Sequence, residues 1–312
     1  MPGPAMRVGS KLANFGPQAL NLLAAAAGLE DTGVDSVWFS DRVVTTEPIA
    51  SAYPFTPDGR VPWTSDTPFV EAVTAMAMVA ARTSRVEIGT GVLVLPLRHP
   101  VLLARQLAAI DRLSGGRVLL GVGPGWMAEE FALLGVPFDE RGDRTDEAVA
   151  VLRSCWAGTV PALDGPYYPL PAGVSCHPTP ARRIPVLAGG MTGPALRRAA
   201  QLDGWFGYVT ADRLLDDGVK DLIVPAMDRV RAAAGPGGMS PERRDTLRVV
   251  GPPEQAARVT PALVRAGITE IVTDIDWRDP ERAAADVTRI RDAAAIELTA
   301  EVEPALASKG PS

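Results

Sequence analysis

Lysine, histidine and cysteine are all scarce in this chain. Its 312 residues hold two histidines, His99 and His177, and two cysteines, Cys155 and Cys176. Lysine stands only at Lys11, Lys220 and Lys309, and every other basic residue is arginine. Basic and acidic residues number 31 and 37, for a net charge of −6 without any basic block. That balance gives no electrostatic footprint for nucleic acid. The cysteines lack metal or CxxC spacing, and two thiols in so long a chain suit a reducing compartment. No apolar run is long enough to span a bilayer, and no signal peptide precedes Met6. The expectation is a cytoplasmic protein without nucleic-acid, membrane or metal partners. Catalytic signatures are missing too. There is no GxGxxG after the first strand, no GxxxxGKS, no HExxH and no Ser-His-Asp order. The Rossmann, P-loop and zincin readings therefore lack their motifs.

What is present is apolar residue and glycine. The apolar fraction of 46% is enough for a substantial core. The chain is organised around Val86–Trp126, which reads VEIGTGVLVLPLRHPVLLARQLAAIDRLSGGRVLLGVGPGW. Two apolar runs, Val86–Leu95 and Arg117–Val122, flank a helical run from Pro100 to Leu113. The short loops admit only a parallel crossover, a βαβ unit. Gly89 and Gly91 in the first run, and Gly121, Gly123 and Gly125 at the end of the second, weaken a strand. They mark a bulge or a close approach, and they suggest a flat ligand across the C-terminal edge of both strands.

Around this unit the pattern predicts further strands at Met6–Asn14, Ser36–Ser40, Ile184–Ala188, Gly204–Thr210, Leu247–Gly251 and Glu270–Ile275. Helices are expected at Gln18–Asp31, Pro68–Arg82, Met127–Leu134, Gly142–Trp156, Thr192–Leu202, Arg213–Ala234, Pro253–Ala266 and Pro280–Leu298. Val43–Thr67 is a long Pro/Ser/Thr-rich loop, which in a compact domain is usually a lid or binding loop. Thr159–Thr179 reads as an excursion with a hairpin around Asp164-Gly165, and Gly235–Gly238 as a flexible turn. Eight strands, nearly all followed by a helix, fit an α/β fold of the (β/α)8 TIM barrel type; a doubly wound open sheet is the competitor. One domain over residues 1–299 is expected, with a frayed tail at 300–312.

In a barrel the active site lies at the C-terminal ends of the strands. Asn14, Asp41, Arg42, Thr90 to Leu95, Gly123 to Trp126, Gly189 to Thr192, Thr210 and Asp274 to Trp277 fall there. Gly189-Gly190-Met191-Thr192 joins a strand to a helix, where free amides and the helix dipole bind phosphate; a tight turn without ligand is the equal alternative. Asp41-Arg42 reads as a surface ion pair or as a ligand-facing pair, and strand-end position favours the second. Trp126 reads as core filler or as the wall of a ring pocket. His99 and His177 read as structural or surface residues. Glu129 and Glu130 read as ordinary helix-end carboxylates, and Arg141 and Arg144 as solvated ion-pairing residues. Glycine and aromatics without an acid–base set suggest that a cofactor carries the reaction.

The same residues resemble the bacterial luciferase-like superfamily of flavin- and deazaflavin-dependent oxidoreductases. The segments that carry the resemblance are SVWFSDRV, SRVEIGTGVLVLPLRHPVLLARQLAAID, GGRVLLGVGPGWMAEEFALLGVPFDERGDRTDE, IPVLAGGMTGPALRRAAQLDGWF and AGITEIVTDIDW. They span about Met6 to Ala295. The resemblance implies a (β/α)8 barrel, and a bulge or non-proline cis peptide near Gly91-Val92 against the cofactor ring. Thr90, Gly91 and Val92 would then line the ring, with Gly123 and Gly125 at its tail or edge. Gly189, Gly190, Met191 and Thr192 would meet the phosphate, and Asp41 matches a cofactor-contacting acidic position. Two departures stand out. Arg42 replaces a frequent histidine proton donor, and Trp126 stands where the sugar-phosphate branch has a catalytic glutamate.

The resulting expectation is hydride transfer between coenzyme F420 and a small organic substrate, a carbonyl compound or an activated alkene. Arg42 would stabilise developing oxyanion charge, and Trp126 would shape the substrate pocket. One alternative is an FMN-dependent monooxygenase that uses oxygen with a separate flavin reductase as partner. Another is a non-catalytic ligand-binding barrel. A homodimer is compatible with each.

Overall fold

The computed structural model of the protein describes residues 6–235, 238–240 and 242–307. Eight parallel strands close into a barrel: β1 Arg7–Lys11, β2 Ser36–Phe39, β3 Glu87–Val94, β4 Val118–Gly123, β7 Val186–Gly189, β8 Gly204–Thr210, β9 Arg244–Val250 and β10 Glu270–Thr273. Every neighbour pair is parallel, and β1 pairs with both β2 and β10. That closure rules out the open sheet. The outer layer holds α1 Leu22–Asp31, α2 Ala72–Arg82, α3 Pro100–Ser114, α4 Ala128–Leu133, α5 Arg141–Trp156, α6 Gly193–Gln201, α7 Val224–Ala234, α8 Pro253–Ala266 and α9 Pro280–Ala307. The short strands β5 Thr159–Val160 and β6 Val174–Ser175 form an antiparallel pair outside the barrel.

The β3–α3–β4 unit shows how local chemistry sets the elements. Pro100 enters the first turn of α3 without forfeiting a useful amide, and Gly115 closes the helix in the left-handed region. Leu103, Leu107 and Ile110 form its buried stripe. Asp111 is also fully buried, because its carboxylate accepts from the amides of Val118 (3.2 Å) and Ala181 (2.8 Å). The helix is thereby fastened to β4 and to the segment that leads into β7.

Inward residues fill the barrel in layers. At the N-terminal base Glu87 receives Arg7, Arg182 (2.6 Å) and Arg244 (2.6 Å), and Glu270 receives Ser36 and Thr246 (3.0 Å). Above this charged base sits an apolar layer of Trp38, Leu119, Leu187, Phe206 and Val272. The Trp38 and Phe206 rings lie 4.9 Å apart. A side chain at Gly89 would collide with Trp38, and one at Gly91 with Phe206. The glycines of β3 thus make room for two large rings, each worth about 1.5–3 kcal/mol or more when fully buried.

Several sequence expectations shift. The predicted Arg213–Ala234 helix is broken: a short 3-10 turn at Ala211–Leu214 precedes a wide π turn at Val219–Ile223 that leads into α7. Pro225 at the start of α7 lacks the amide that a continuous helix needs. Strand β9 begins at Arg244, ahead of the expected Leu247. The hairpin in 159–179 forms, with mutual 2.9 Å bonds between Leu163 and Leu170 around Asp164-Gly165. The last helix continues to Ala307 rather than ending at Leu298, and the remainder of the expected frayed tail, 308–312, lies outside the described residues. Residues 236 and 237 of the Gly235–Gly238 turn lie outside them too.

Candidate active site

The top layer of the barrel is divided. On β3, β4 and β7 it is glycine; on β1, β8 and β9 it is Lys11, Tyr208 and Arg248, with Asp274 just past the end of β10. Strand β3 creates the first half. Its register with β4 slips between Thr90 and Leu93, and the Gly91–Val92 peptide is cis. Strict alternation would send Val92 outward, yet it packs against the inner apolar layer. A side chain at Gly123 or Gly189 would run into Val92, and one at Gly121 into the Thr90 carbonyl. The bulge expected near Gly91-Val92 is therefore present, and part of the space read as ligand space is occupied by Val92. Thr90 is fully buried, and its Oγ1 donates to the Gly121 carbonyl at 2.7 Å, so it ties β3 to β4.

Asp41 and Arg42 do not pair with each other. The Asp41 carboxylate is fully buried and accepts both Nη1 and Nη2 of Arg98 at 2.7 Å and the Val94 amide at 2.8 Å. This clamp holds the end of β3. Arg42 is also buried. Its Nη1 meets Glu130 at 2.9 Å and the Met127 Sδ at 3.0 Å. Its guanidinium carbon lies 5.0 Å from the Trp126 ring and 5.4 Å from the Trp63 ring, within cation–π range. The Nε of Arg42 and the Nε1 of Trp63 are buried donors without a partner. Two unmatched donors around one aromatic pocket mark a place where an acceptor on a ligand would be welcomed.

The loop from Val43 to Thr67 caps the mouth. Tyr53 stands 5.2 Å from both Trp63 and Trp126, and Phe55 lies 4.4 Å from Tyr208. Burial, with Tyr208 nearby, pushes the Tyr53 hydroxyl up to about 12. Two carboxylates pin the loop. Glu130 accepts the amides of Val43 (2.7 Å) and Val44 (3.1 Å), and Glu129 accepts those of Ala50 (2.7 Å) and Ser51 (2.9 Å). Both stand in the first turn of α4, as read from the sequence, but they are not merely solvated: Glu130 is 1% exposed, and burial pushes its carboxyl up against the pull of Arg42. Asn14 fastens both ends of the cap, donating to the carbonyls of Ser40 and Val70 at 2.8 Å each.

At the remaining corner, Gly189 ends β7 and Gly190 adopts φ +111°, where a side chain is strained. The Gly190 amide donates to Phe206 and its carbonyl accepts Trp205 Nε1 at 2.7 Å, so this peptide is already engaged. Met191 and exposed Thr192 lead into α6, with Thr192 at its N-cap. Met191, Leu196, Tyr208, Arg213 and Arg229 line an adjoining cavity of about 280 Å³.

Other candidates lie elsewhere. His99 and His177 are exposed, and His99 packs edge-on against Tyr168 of the outer hairpin. Arg144 pairs with Glu140 at 2.7 Å. Trp277 packs beneath Gly28 of α1. Among the described residues no group of His, Cys, Asp and Glu could hold a metal, and no helix is long and apolar enough to cross a membrane. The sequence reading missed Lys11, Tyr53, Phe55, Trp63, Arg98, Tyr208 and Arg248. Inward parity on β1, β8 and β9 was the available signal for Lys11, Tyr208 and Arg248; nothing local marked the cap aromatics.

Comparison with known proteins agrees with this geometry. The family model described as luciferase-like monooxygenase matches residues 6–235. An uncharacterized protein of Mycobacterium tuberculosis is 37% identical over 214 residues, covering 68% of this chain and 71% of the relative. The F420-dependent glucose-6-phosphate dehydrogenase of Amycolatopsis mediterranei is 32% identical over 237 residues, covering 73% of this chain and 64% of that enzyme. The crystal structure of the monooxygenase RslO1 from Streptomyces bottropensis superposes with a TM-score of 0.67 at 19% identity, covering 92% of this chain and 98% of that one, and so shares the fold. With its bulged third strand and capped mouth, the chain belongs to the luciferase-like monooxygenase family of oxidoreductases.

Proposed function

We propose that the chain transfers hydride between coenzyme F420 and a small organic substrate, a carbonyl compound or an activated alkene. The divided top layer carries this reading: a glycine floor beside Val92 suits a flat ring, and polar groups face it from the opposite strands. When bound, the deazaflavin supplies or accepts the hydride. The chain supplies the rest. Met191 and Thr192, at the dipolar start of α6, would hold a phosphate, and Arg213 and Arg229 in the adjoining cavity suit an acidic tail. Gly91, Val92, Gly123, Gly125 and Gly189 would shape the floor under the ring. Thr90 and Asp41 act one step back, because both side chains are committed to the protein: Thr90 ties β3 to β4, and Asp41 with Arg98 fixes the end of β3.

Arg42 is reassigned to a positioning role. Its charge is met by Glu130 and its faces are covered by indoles, so it holds Trp126 and the cap in place and leaves Nε for a ligand acceptor. Trp126, with Tyr53, forms the wall of the substrate pocket. The F420-dependent relative supports the cofactor choice. Trp126 at the expected glutamate position argues against a sugar phosphate as substrate. The non-catalytic barrel is set aside, given the family.

FMN-dependent oxygenation with a separate flavin reductase is the second reading. The aromatic cap favours it, since it would keep water from a reactive centre. Titration of purified protein with each reduced cofactor, followed by fluorescence quenching, decides. Saturable binding of F420 with far weaker FMN binding is expected. Binding of FMN alone would replace the first reading with the second, and binding of neither would overturn both.

A further inference from the structure

We propose that Lys11 is the proton donor of this site, delivering a proton from Nζ to the substrate oxygen as the adjoining carbon is reduced. The inference rests on the hydride-transfer reading above.

Lys11 is the last residue of β1 and shares register with Trp38. A side chain at Gly9, two residues earlier, would meet Ser36, Trp38 and Val272, all inside the barrel. By strand parity Lys11 also points inward, one layer higher, at the mouth. Its Nζ lies 3.4 Å from the carbonyls of Leu12 and Trp38 and 3.4 Å from Asn14 Oδ1. All three are neutral acceptors. Among the described residues no carboxylate lies within ion-pair distance of Lys11, whereas Arg248 beside it is held by Asp274 at 2.6 Å. Phe15 covers one side, its ring centre 5.8 Å from Nζ.

Burial, then the charge of Arg248, brings Lys11 down to about 7, with Asp274 opposing. A lysine in that range gives and regains a proton at neutral pH. The other polar groups are engaged or lie elsewhere. Arg248 is paired with Asp274 at 2.6 Å. Burial pushes Tyr208 up, and Tyr53 stands at about 12. Asp41 is locked to Arg98, Glu130 is locked to Arg42, and both histidines are exposed.

The step balances for a carbonyl substrate. Hydride from the reduced two-electron cofactor forms the new C–H bond, and the C=O π pair moves to oxygen. Oxygen forms its O–H bond with a proton from Lys11, whose N–H bond breaks to leave a neutral amine. Solvent restores the proton after the alcohol departs, and in the reverse direction the neutral amine takes it.

With only three lysines, reductive methylation with a carbon-13 label gives a sparse NMR spectrum. Loss of one signal in Lys11→Arg assigns Lys11 without any cofactor. Titration of that signal near pH 7 is expected; titration near the ordinary lysine value of about 10.4 overturns the proposal. In the holoenzyme, Lys11→Met should lower turnover of a carbonyl substrate by about a hundredfold or more. It should leave the cofactor Kd within a few-fold and erase the basic limb of the kcat/KM profile. Unchanged turnover or an unchanged limb overturns the role. Failure of wild-type protein to bind either cofactor is a different result: it overturns the hydride-transfer reading and with it this step.

Discussion

The two ends of the barrel treat charge in opposite ways. At the base, Glu87 is surrounded by Arg7, Arg182 and Arg244, and Glu270 is met by Ser36, Thr246 and Arg244. The carboxylates there are saturated, and one unmatched donor, Arg7 Nε, remains. At the mouth, charge is anchored but left incomplete. Arg42 and Trp63 keep idle donors, and Lys11 has only neutral acceptors. A saturated network has nothing to offer a ligand and can only hold the fold. An unsaturated one costs stability unless something binds, which is the condition expected of a working site.

Breaking the base should give the largest effect. Glu87→Gln leaves three arginines short of their shared counter-charge and should cost about 3 kcal/mol or more in urea unfolding, while cofactor affinity of the folded fraction stays put. A loss under about 1 kcal/mol, as for exposed pairs, would mean that the base is no more than a surface network. Acid sharpens the same point. Burial works to raise the Glu87 carboxyl, but Arg244, Arg7 and Arg182 outweigh it and hold it below the usual range. Its folded value thus lies under its unfolded one, so its contribution is complete above the unfolded value and fades as pH falls through the folded value. The urea midpoint should drop below about pH 4.3, and less so in Glu87→Gln; parallel curves would remove Glu87 as the cause.

At the mouth, Thr192→Asp should leave folding intact, since aspartate is a good N-cap. It puts a carboxylate where the phosphate is proposed to lie. Cofactor Kd should rise by about a hundredfold, roughly 2.7 kcal/mol, and an unaltered Kd would remove this turn from the site. Gly190→Asp cannot serve, because φ +111° strains any side chain before charge is considered. Trp126→Ala should have the smallest effect on the comparison. KM for substrate should rise about tenfold with kcat nearly kept, as when ground-state and transition-state binding fall together. A selective fall in kcat would instead give Trp126 a part in the chemistry.

The β3–α3–β4 unit was legible because both its strands are largely apolar runs and its helix carries Pro at one end and Gly at the other. The same periodicity misread 213–234, where Pro225 interrupts a pattern whose apolar spacing looks continuous. At the site, strand-end position nominated Asp41, Arg42, Trp126 and the Gly189–Thr192 turn. It did not say what each side chain would meet. Asp41 is claimed by Arg98, 57 residues away, and Arg42 by Glu130, 88 residues away. Local sequence carries no trace of such partners.

The sequence by itself determined the βα alternation that fits a barrel, the long loop at Val43–Thr67 and a glycine-marked weak point in β3, because strand period, chain breaks and glycine placement act over a few neighbouring residues. The resemblance placed the irregularity at Gly91-Val92, and closure of the sheet was decided by the tertiary structure. Only the tertiary structure decided which charges are spent and which are free. A side chain's charge is set by what burial removes and what distant strands return. Closing the barrel seats Lys11 beside Arg248, more than two hundred residues further along the chain, with neutral oxygens around its amine.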